Sequence, residues 1–233
     1  MPVRAAVVFD LWGTLVPGIP PSVRDAVSHE MAADLGVDPA AFAAAYGDSY
    51  RERFLGTTGT LEETITLLAA RCGGSPAAPA VLRAATRRLD LTRSLLTSDA
   101  TTLSVLDELV ARGLLLALVS DSSVETPELW PGSPLARRIP VTAFSCVVGA
   151  RKPDPALYLH AVRRLGVLAQ ECVYVGDGGG GELTGAASLG MRAVRLTTGD
   201  RATDRYDDDA AFAGAQIDTL GELLALPELP RAT

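Results

Sequence analysis

Lysine is almost missing from this sequence. Of its 21 basic residues only Lys152 is a lysine, and every other one is an arginine. A chain that writes its positive charge as guanidinium yet keeps one amine points to a position that needs a compact ammonium; the competing explanation is a chance survivor. Cysteine is sparse as well. Cys72, Cys146 and Cys172 are odd in number, widely spaced and without a CxxC pair, which excludes a disulfide scaffold and reads as reduced core residues of a cytoplasmic protein. There is no basic run, and the formal charge is -7. That balance argues against nucleic acid as a partner, whereas a small anionic substrate needs only a local positive site. No apolar run approaches the roughly 20 residues of a membrane span. The first such run breaks at Asp10, so neither a signal peptide nor membrane attachment is expected.

What the chain does have is apolar mass: 48% of 233 residues, enough for one full α/β domain with an insert. Ala5 to Phe9 are five consecutive apolar residues between Arg4 and Asp10. The run is too short for a helix and reads as a strand buried on both faces, as inside a parallel sheet. Asp10 then stands at the carboxyl end of a central strand, the edge where open α/β sheets bind ligands, and Gly13 lets the chain turn away from it. A turn-capping aspartate is the plainer alternative.

The pattern becomes helical after Pro17 to Pro21. Ser22 is an N-cap candidate for a helix closed by Gly36, a second helix follows Asp38-Pro39, Thr60 to Glu63 form a capping box for a third, and Leu82 to Leu96 supply a fourth. Nothing from residue 18 to 96 looks like a strand, so the segment reads as an all-helical insert. Alternation resumes with a helix from Asp99, an apolar run ending at Ser120, a short strand over Phe144 to Val148, a helix opened by Pro155 and closed by Gly166, a buried strand ending at Gly176-Asp177, a helix after the glycine loop, and a strand over Ala193 to Leu196. The acidic stretch from Asp200 to Asp209 reads as a solvated loop, and Asp218 as the cap of a last surface helix over Thr219 to Leu226. This order predicts a doubly wound parallel sheet with right-handed crossovers. Asp10, Ser120 and Asp177 would end three of its strands, with Lys152 just beyond a fourth. Each alone has a structural explanation; four at one edge point to a site.

Asp10-Leu-Trp-Gly-Thr14-Leu, Ser120 after an apolar strand, Lys152-Pro-Asp-Pro, and Gly176-Asp177 followed by Glu182, Gly185-Ala186 and Gly190-Met191 together resemble the haloacid dehalogenase superfamily of hydrolases. The resemblance implies a Rossmann-like α/β core over residues 1–17 and 97–233, with a helical cap domain over 18–96. It implies Asp10 as a nucleophile forming an aspartyl intermediate, Ser120 on a substrate phosphoryl oxygen, and Lys152 neutralising charge, with Thr14 and Asp121 also at the substrate. It implies Mg²⁺ held by Asp10, the Trp12 carbonyl and Asp177; Glu182 either holds a water of that ion or is only a helix-dipole partner. The sequence departs from the family's phosphatases at Trp12, where they carry a second aspartate for proton transfer. Dehalogenases carry an aromatic there, but do without the metal that Asp177 and Glu182 suit. The expectation is a Mg²⁺-dependent phosphohydrolase of a small phosphorylated metabolite. A 2-haloacid dehalogenase and an impaired binding protein of the same fold are the alternatives. Tyr46, Tyr50, Arg51 and Arg53 are the insert's candidates for specificity, or else an ordinary amphipathic face with snorkelling arginines. Oligomeric state is open.

Overall fold

The computed structural model describes residues 5–197, 209, 212–227 and 229. Six strands form one sheet: β1 (Ala6–Phe9), β2 (Leu115–Ser120), β3 (Val141–Phe144), β4 (Cys172–Gly176), β5 (Arg192–Leu196) and β6 (Ala215–Ile217), in the order β3-β2-β1-β4-β5-β6. Every pairing is parallel. β1 is central: Val8 stands opposite Ala117 on one side and Tyr174 on the other. Its alternate residues serve opposite faces, as the two-residue period of a strand requires. Val7 and Phe9 pack into one core with Leu106 and Leu109, and Ala6 and Val8 into another with Leu157, Tyr158 and Leu183. A strand covered on both faces has no room for polar residues, which is why its sequence reads as an unbroken apolar run.

The remaining elements are helical. The insert holds α1 (Pro21–Leu35), α2 (Pro39–Asp48), α3 (Tyr50–Phe54), α4 (Leu61–Arg71) and α5 (Ala78–Leu95). The main layers hold α6 (Ala100–Ala111), α7 (Glu125–Leu129), α8 (Ser145–Val148), α9 (Pro155–Leu165) and α10 (Glu182–Ser188). The first five helices enclose a core of their own, with Met31, Phe42, Ile65, Leu68 and Ala84 at its centre. The expected capping box forms, Thr60 accepting the Glu63 N–H and Glu63 reaching back, and Asp38 and Asp99 cap α2 and α6 in the same way. The chain leaves β1 for the insert and returns to α6 through segments that touch, the Ser98 hydroxyl donating to the Leu15 carbonyl at 2.9 Å.

Four local readings are corrected. Ser22 does not cap α1, which starts at Pro21 with no side-chain cap; proline at the first position fixes the helical φ without needing its N–H. The second helix breaks at Ser49 into α2 and α3. The strand expected over Phe144 to Val148 lies earlier, and residues 145–148 turn into α8, where the Ser145 hydroxyl receives the Ser122 N–H at 2.9 Å; short apolar runs are ambiguous between the two periods. In the tail, β6 was not expected. Leu220–Ala225 is a 3-10 turn without a side-chain cap, and Leu220 and Leu223 are core residues, so this is no surface helix. Most of the acidic stretch from 200 to 209 lies outside the described residues. Asp209 itself is buried and accepts from the Thr184 backbone N–H at 2.6 Å. No helix among the described residues is long and apolar enough to cross a membrane.

The insert meets the sheet layers where Gly56, at φ +71°, leans on the Cys146 carbonyl of α8, and an added Cβ would collide with that oxygen. Gly36 has a similar φ of +69° but open space around it. Gly36→Ala should therefore cost only the left-handed penalty of about 1–2 kcal/mol. Gly56→Ala should cost clearly more and lower Tm by roughly 5 °C or beyond. Calorimetry of both variants checks the contact; equal losses would mean that it does not exist in solution.

Candidate active site

The strand order reverses direction beside β1. β2 and β3 extend to one side of it, β4 to β6 to the other, and such a switch point leaves a crevice at the carboxyl ends of the strands. Asp10 follows β1 and Asp177 follows β4, so the two carboxylates flank that crevice. The Asp10 N–H still donates to the Val175 carbonyl at 2.9 Å, which fixes the residue as the last rung of the ladder. Gly13 turns the chain under Asp177 at φ +83°, and a Cβ there would run into the Asp177 carboxylate.

Lys152 stands among these acids. Its Nζ is 2.5 Å from Asp10 Oδ1 and 2.5 Å from Glu182 Oε2. Glu182 is wholly buried: its Oε1 accepts the Gly178 N–H at 2.9 Å, and its Oε2 also accepts the Tyr174 hydroxyl at 2.8 Å. The Thr14 hydroxyl donates to Asp10 Oδ2 at 3.2 Å, and Asp177 Oδ1 accepts the Gly179 N–H at 2.9 Å. Oxygens of Asp10, Asp177 and Glu182 all lie within 4.8 Å of one another. Burial pushes the Asp10 carboxyl up to about 7 against the pull of Lys152, and burial also raises Asp177 and Glu182. Burial alone would lower Lys152, but Asp10 and Glu182 outweigh it and hold the amine well above its usual value. Three carboxyl groups thus crowd one ammonium in a poorly solvated place that disfavours their ionisation. The donor set is all hard oxygen, which fits a divalent cation of the Mg²⁺ kind.

Other expected residues are placed differently. Ser120 has no exposed surface, and its hydroxyl shares a 2.8 Å hydrogen bond with that of Ser122. Ser122 and Ser123 line the cavity instead, together with Thr126. Asp121 also lines it, but is held by the Lys152 N–H at 3.0 Å and the Arg151 Nε at 3.2 Å. The Trp12 side chain forms part of the wall.

The cavity has a volume of about 110 Å³, comparable with one that admits a six-membered ring. The insert supplies its far wall through Tyr46, Tyr50, Arg53, Phe54 and Arg88. Arg51, the other candidate on that stretch, is exposed and does not line it. Tyr50 receives a hydrogen bond from Arg151, whose guanidinium also lies 4.3 Å from its ring centre. Arg88 pairs with Glu125 at 2.7 Å, both almost wholly buried. Burial would raise the Glu125 carboxyl, yet Arg88 and then Arg53 hold it below its usual value. Sequence reasoning missed this pair. The signal was there: Arg88 falls on the buried stripe of α5 with Val81, Ala84, Ala85 and Thr92, where a charge needs a partner.

The sequence pattern of the haloacid dehalogenase-like hydrolases matches residues 5–190. The chain belongs to that family. Among curated relatives it is 40% identical over 79 residues to a glyceraldehyde 3-phosphate phosphatase of Methanopyrus kandleri, covering 33% of each chain. It is 36% identical over 94 residues to a phosphoserine phosphatase of Thermus thermophilus, covering 40% of this chain and 38% of that one. The chain thus spans little more than a third of the length of these relatives. Among solved structures, CbbY of Rhodobacter sphaeroides in complex with phosphate superposes with a TM-score of 0.62 at 26% identity, over 97% of this chain and 99% of that one. The L-2-haloacid dehalogenase of Xanthobacter autotrophicus has the same fold, with a TM-score of 0.63 at 18% identity over 96% and 98%. This haloacid dehalogenase-like hydrolase therefore shares its fold with members carrying both kinds of name.

The Arg88–Glu125 pair gives a pH-dependent test. In the wild type, the folded state holds Glu125 below its unfolded value, so the pair's stabilisation is present above that value and is lost as pH falls through the folded one. Arg88→Met removes the partner and leaves a buried charge, at a cost of about 3–5 kcal/mol near pH 8. Glu125 should then titrate upward, so the deficit should shrink toward pH 5. Denaturant melts at the two pH values check this, and a deficit independent of pH would contradict it.

Proposed function

We propose that the protein is a Mg²⁺-dependent phosphohydrolase acting on a small phosphorylated metabolite through an aspartyl intermediate on Asp10. The observation that carries the reading is the charge imbalance around Lys152. Halide displacement needs one carboxylate and gains nothing from a second beside it, whereas a phosphoryl dianion can approach Asp10 only if cationic charge exceeds what one ammonium supplies. Asp10, Asp177 and the Trp12 carbonyl would hold the ion. When bound, Mg²⁺ supplies charge neutralisation for the attacking carboxylate and the phosphoryl oxygens. Glu182, whose carboxylate accepts from Lys152, Tyr174 and Gly178, positions the ammonium beside that ion. The Ser122 hydroxyl, held by Ser120, takes the phosphoryl-binding role expected of Ser120 itself. Residues 18–96 act as the cap over a core formed by 1–17 and 97–233, and the cavity between them admits the substrate.

Asp10 attacks phosphorus, the bond to the leaving oxygen breaks, and water then cleaves the aspartyl phosphate to regenerate the carboxylate. Trp12 cannot give a proton to the leaving oxygen or take one from the water. General acid and base help is typically worth about 10²–10⁴-fold. Esters with stable leaving groups, such as aryl or acyl phosphates, should therefore outrun alkyl phosphates, and the intermediate should persist. The same indole favours a second reading, a 2-haloacid dehalogenase, because halide departs without a proton.

Two measurements separate these readings. Mg²⁺ should raise the Tm of the wild type and leave that of Asp177→Asn unmoved, and EDTA should abolish aryl phosphate hydrolysis. Trp12→Asp should raise alkyl phosphate turnover by about tenfold or more at saturating Mg²⁺, within the range of acid–base help. Chloride release from 2-chloropropionate in EDTA, with no gain by a folded Trp12→Asp, would replace the phosphohydrolase with the dehalogenase.

A further inference from the structure

The helical wall of the cavity contains two features that the chemistry at Asp10 does not use. Arg53 is 94% buried, being only 6% exposed, and lines the cavity. Its hydrogen bonds go to neutral oxygens: Nε to the Ser49 hydroxyl at 3.1 Å, Nη1 to the Ser123 hydroxyl at 3.3 Å and Nη2 to the Tyr46 carbonyl at 3.1 Å. A guanidinium has five N–H donors. Two therefore remain, and no carboxylate among the described residues is in ion-pair contact with it. Glu125 bonds Arg88 through Oε1, its Oε2 has no hydrogen-bond partner, and Arg53 acts on it from beyond ion-pair distance. A buried cation without a direct counter-ion is expensive unless an anion arrives to pair with it.

The second feature is Tyr46. It is 2% exposed and lines the same cavity, and its hydroxyl has no hydrogen-bond partner. Burial holds the phenol above its usual value, so it is a neutral donor. The Arg53 guanidinium lies 4.1 Å from the centre of its ring, which brings both sets of donors to one patch of wall. A buried hydroxyl left without a partner costs free energy that a ligand oxygen would recover.

We propose that this patch is a carboxylate-binding pocket, formed by the two remaining N–H groups of Arg53 and the Tyr46 hydroxyl, so that the substrate is a small phosphorylated carboxylic acid. The phosphoryl half of that description rests on the phosphohydrolase reading of Asp10; the carboxylate half does not. Arg88 is paired with Glu125, whereas Arg53 donates only to neutral oxygens. The guanidinium fork presents two parallel donors to two oxygens, the geometry a carboxylate accepts.

The test uses 3-phosphoglycerate and glycerol 3-phosphate, which differ only in a carboxylate against a hydroxymethyl group. Calorimetric binding to the wild-type protein should favour 3-phosphoglycerate by at least about tenfold, the scale of a charge-assisted hydrogen bond. Tyr46→Phe and Arg53→Met should each bring that ratio toward one. Tyr46→Phe removes only an unpartnered hydroxyl, so it serves even where Arg53→Met fails to fold. Equal affinity of the wild type for the two ligands, or a preference that survives in Tyr46→Phe and in a folded Arg53→Met, would overturn the pocket. Because binding is read without turnover, a preference for 3-phosphoglycerate with no hydrolysis of either ester would uphold the pocket and defeat the phosphohydrolase reading. Hydrolysis of both at equal kcat/KM, with equal binding, would do the reverse.

Discussion

A single ammonium ion holds the centre of this molecule together. Lys152 lies between Asp10, which ends the central strand, and Glu182, which opens the helix after β4. Placing these groups in a dry interior costs several kcal/mol per ion unless each is paired and hydrogen-bonded. The surrounding structure meets that condition in detail: Tyr174 donates from inside β4, Gly178 from the loop, and Thr14 from the turn after β1. A guanidinium could not take this place unchanged, because its planar fork is larger and spreads its charge. The lone lysine of an arginine-rich chain therefore has a structural reason to be there.

Around that ion the cavity is divided electrostatically. Its floor, at the carboxyl edge of the sheet, has an excess of carboxylate; its far wall, contributed by the helical insert, has an excess of guanidinium. Trp12 lines the same cavity. The division follows from topology. Residues that end parallel strands collect at one edge, and an insert leaving from that edge has to fold back over it. The insert carries its own apolar core, and its side chains at the cavity are tied to the sheet layers through Ser123, Glu125 and Arg151.

Much of this was legible in the sequence, and the legible part has a common cause. Buried parallel strands must be apolar throughout, so β1, β2 and β4 declare themselves as runs. Helix caps are local hydrogen-bonding devices, so the Thr60–Glu63 box does too. Asp10, Lys152 and Asp177 were recognisable because each follows such a strand or stands out by type. Failures occurred where local signals were short or shared: β6 has three residues, and Phe144 to Val148 suits either period.

The sequence by itself determined the family, the parallel sheet and the residues brought to its edge, because these depend on periodicity and on motifs within a few positions of a strand end. Tertiary structure alone decided which polar atoms face each other across distant segments. It set Ser120 against Ser122 and gave the Glu182 carboxylate three donors. It paired Arg88 with Glu125 across 37 positions and left Arg53 and Tyr46 together at the cavity wall. Such pairings depend on the packing of helices whose own sequences record only which side is buried, and a buried side does not say what charge will stand opposite.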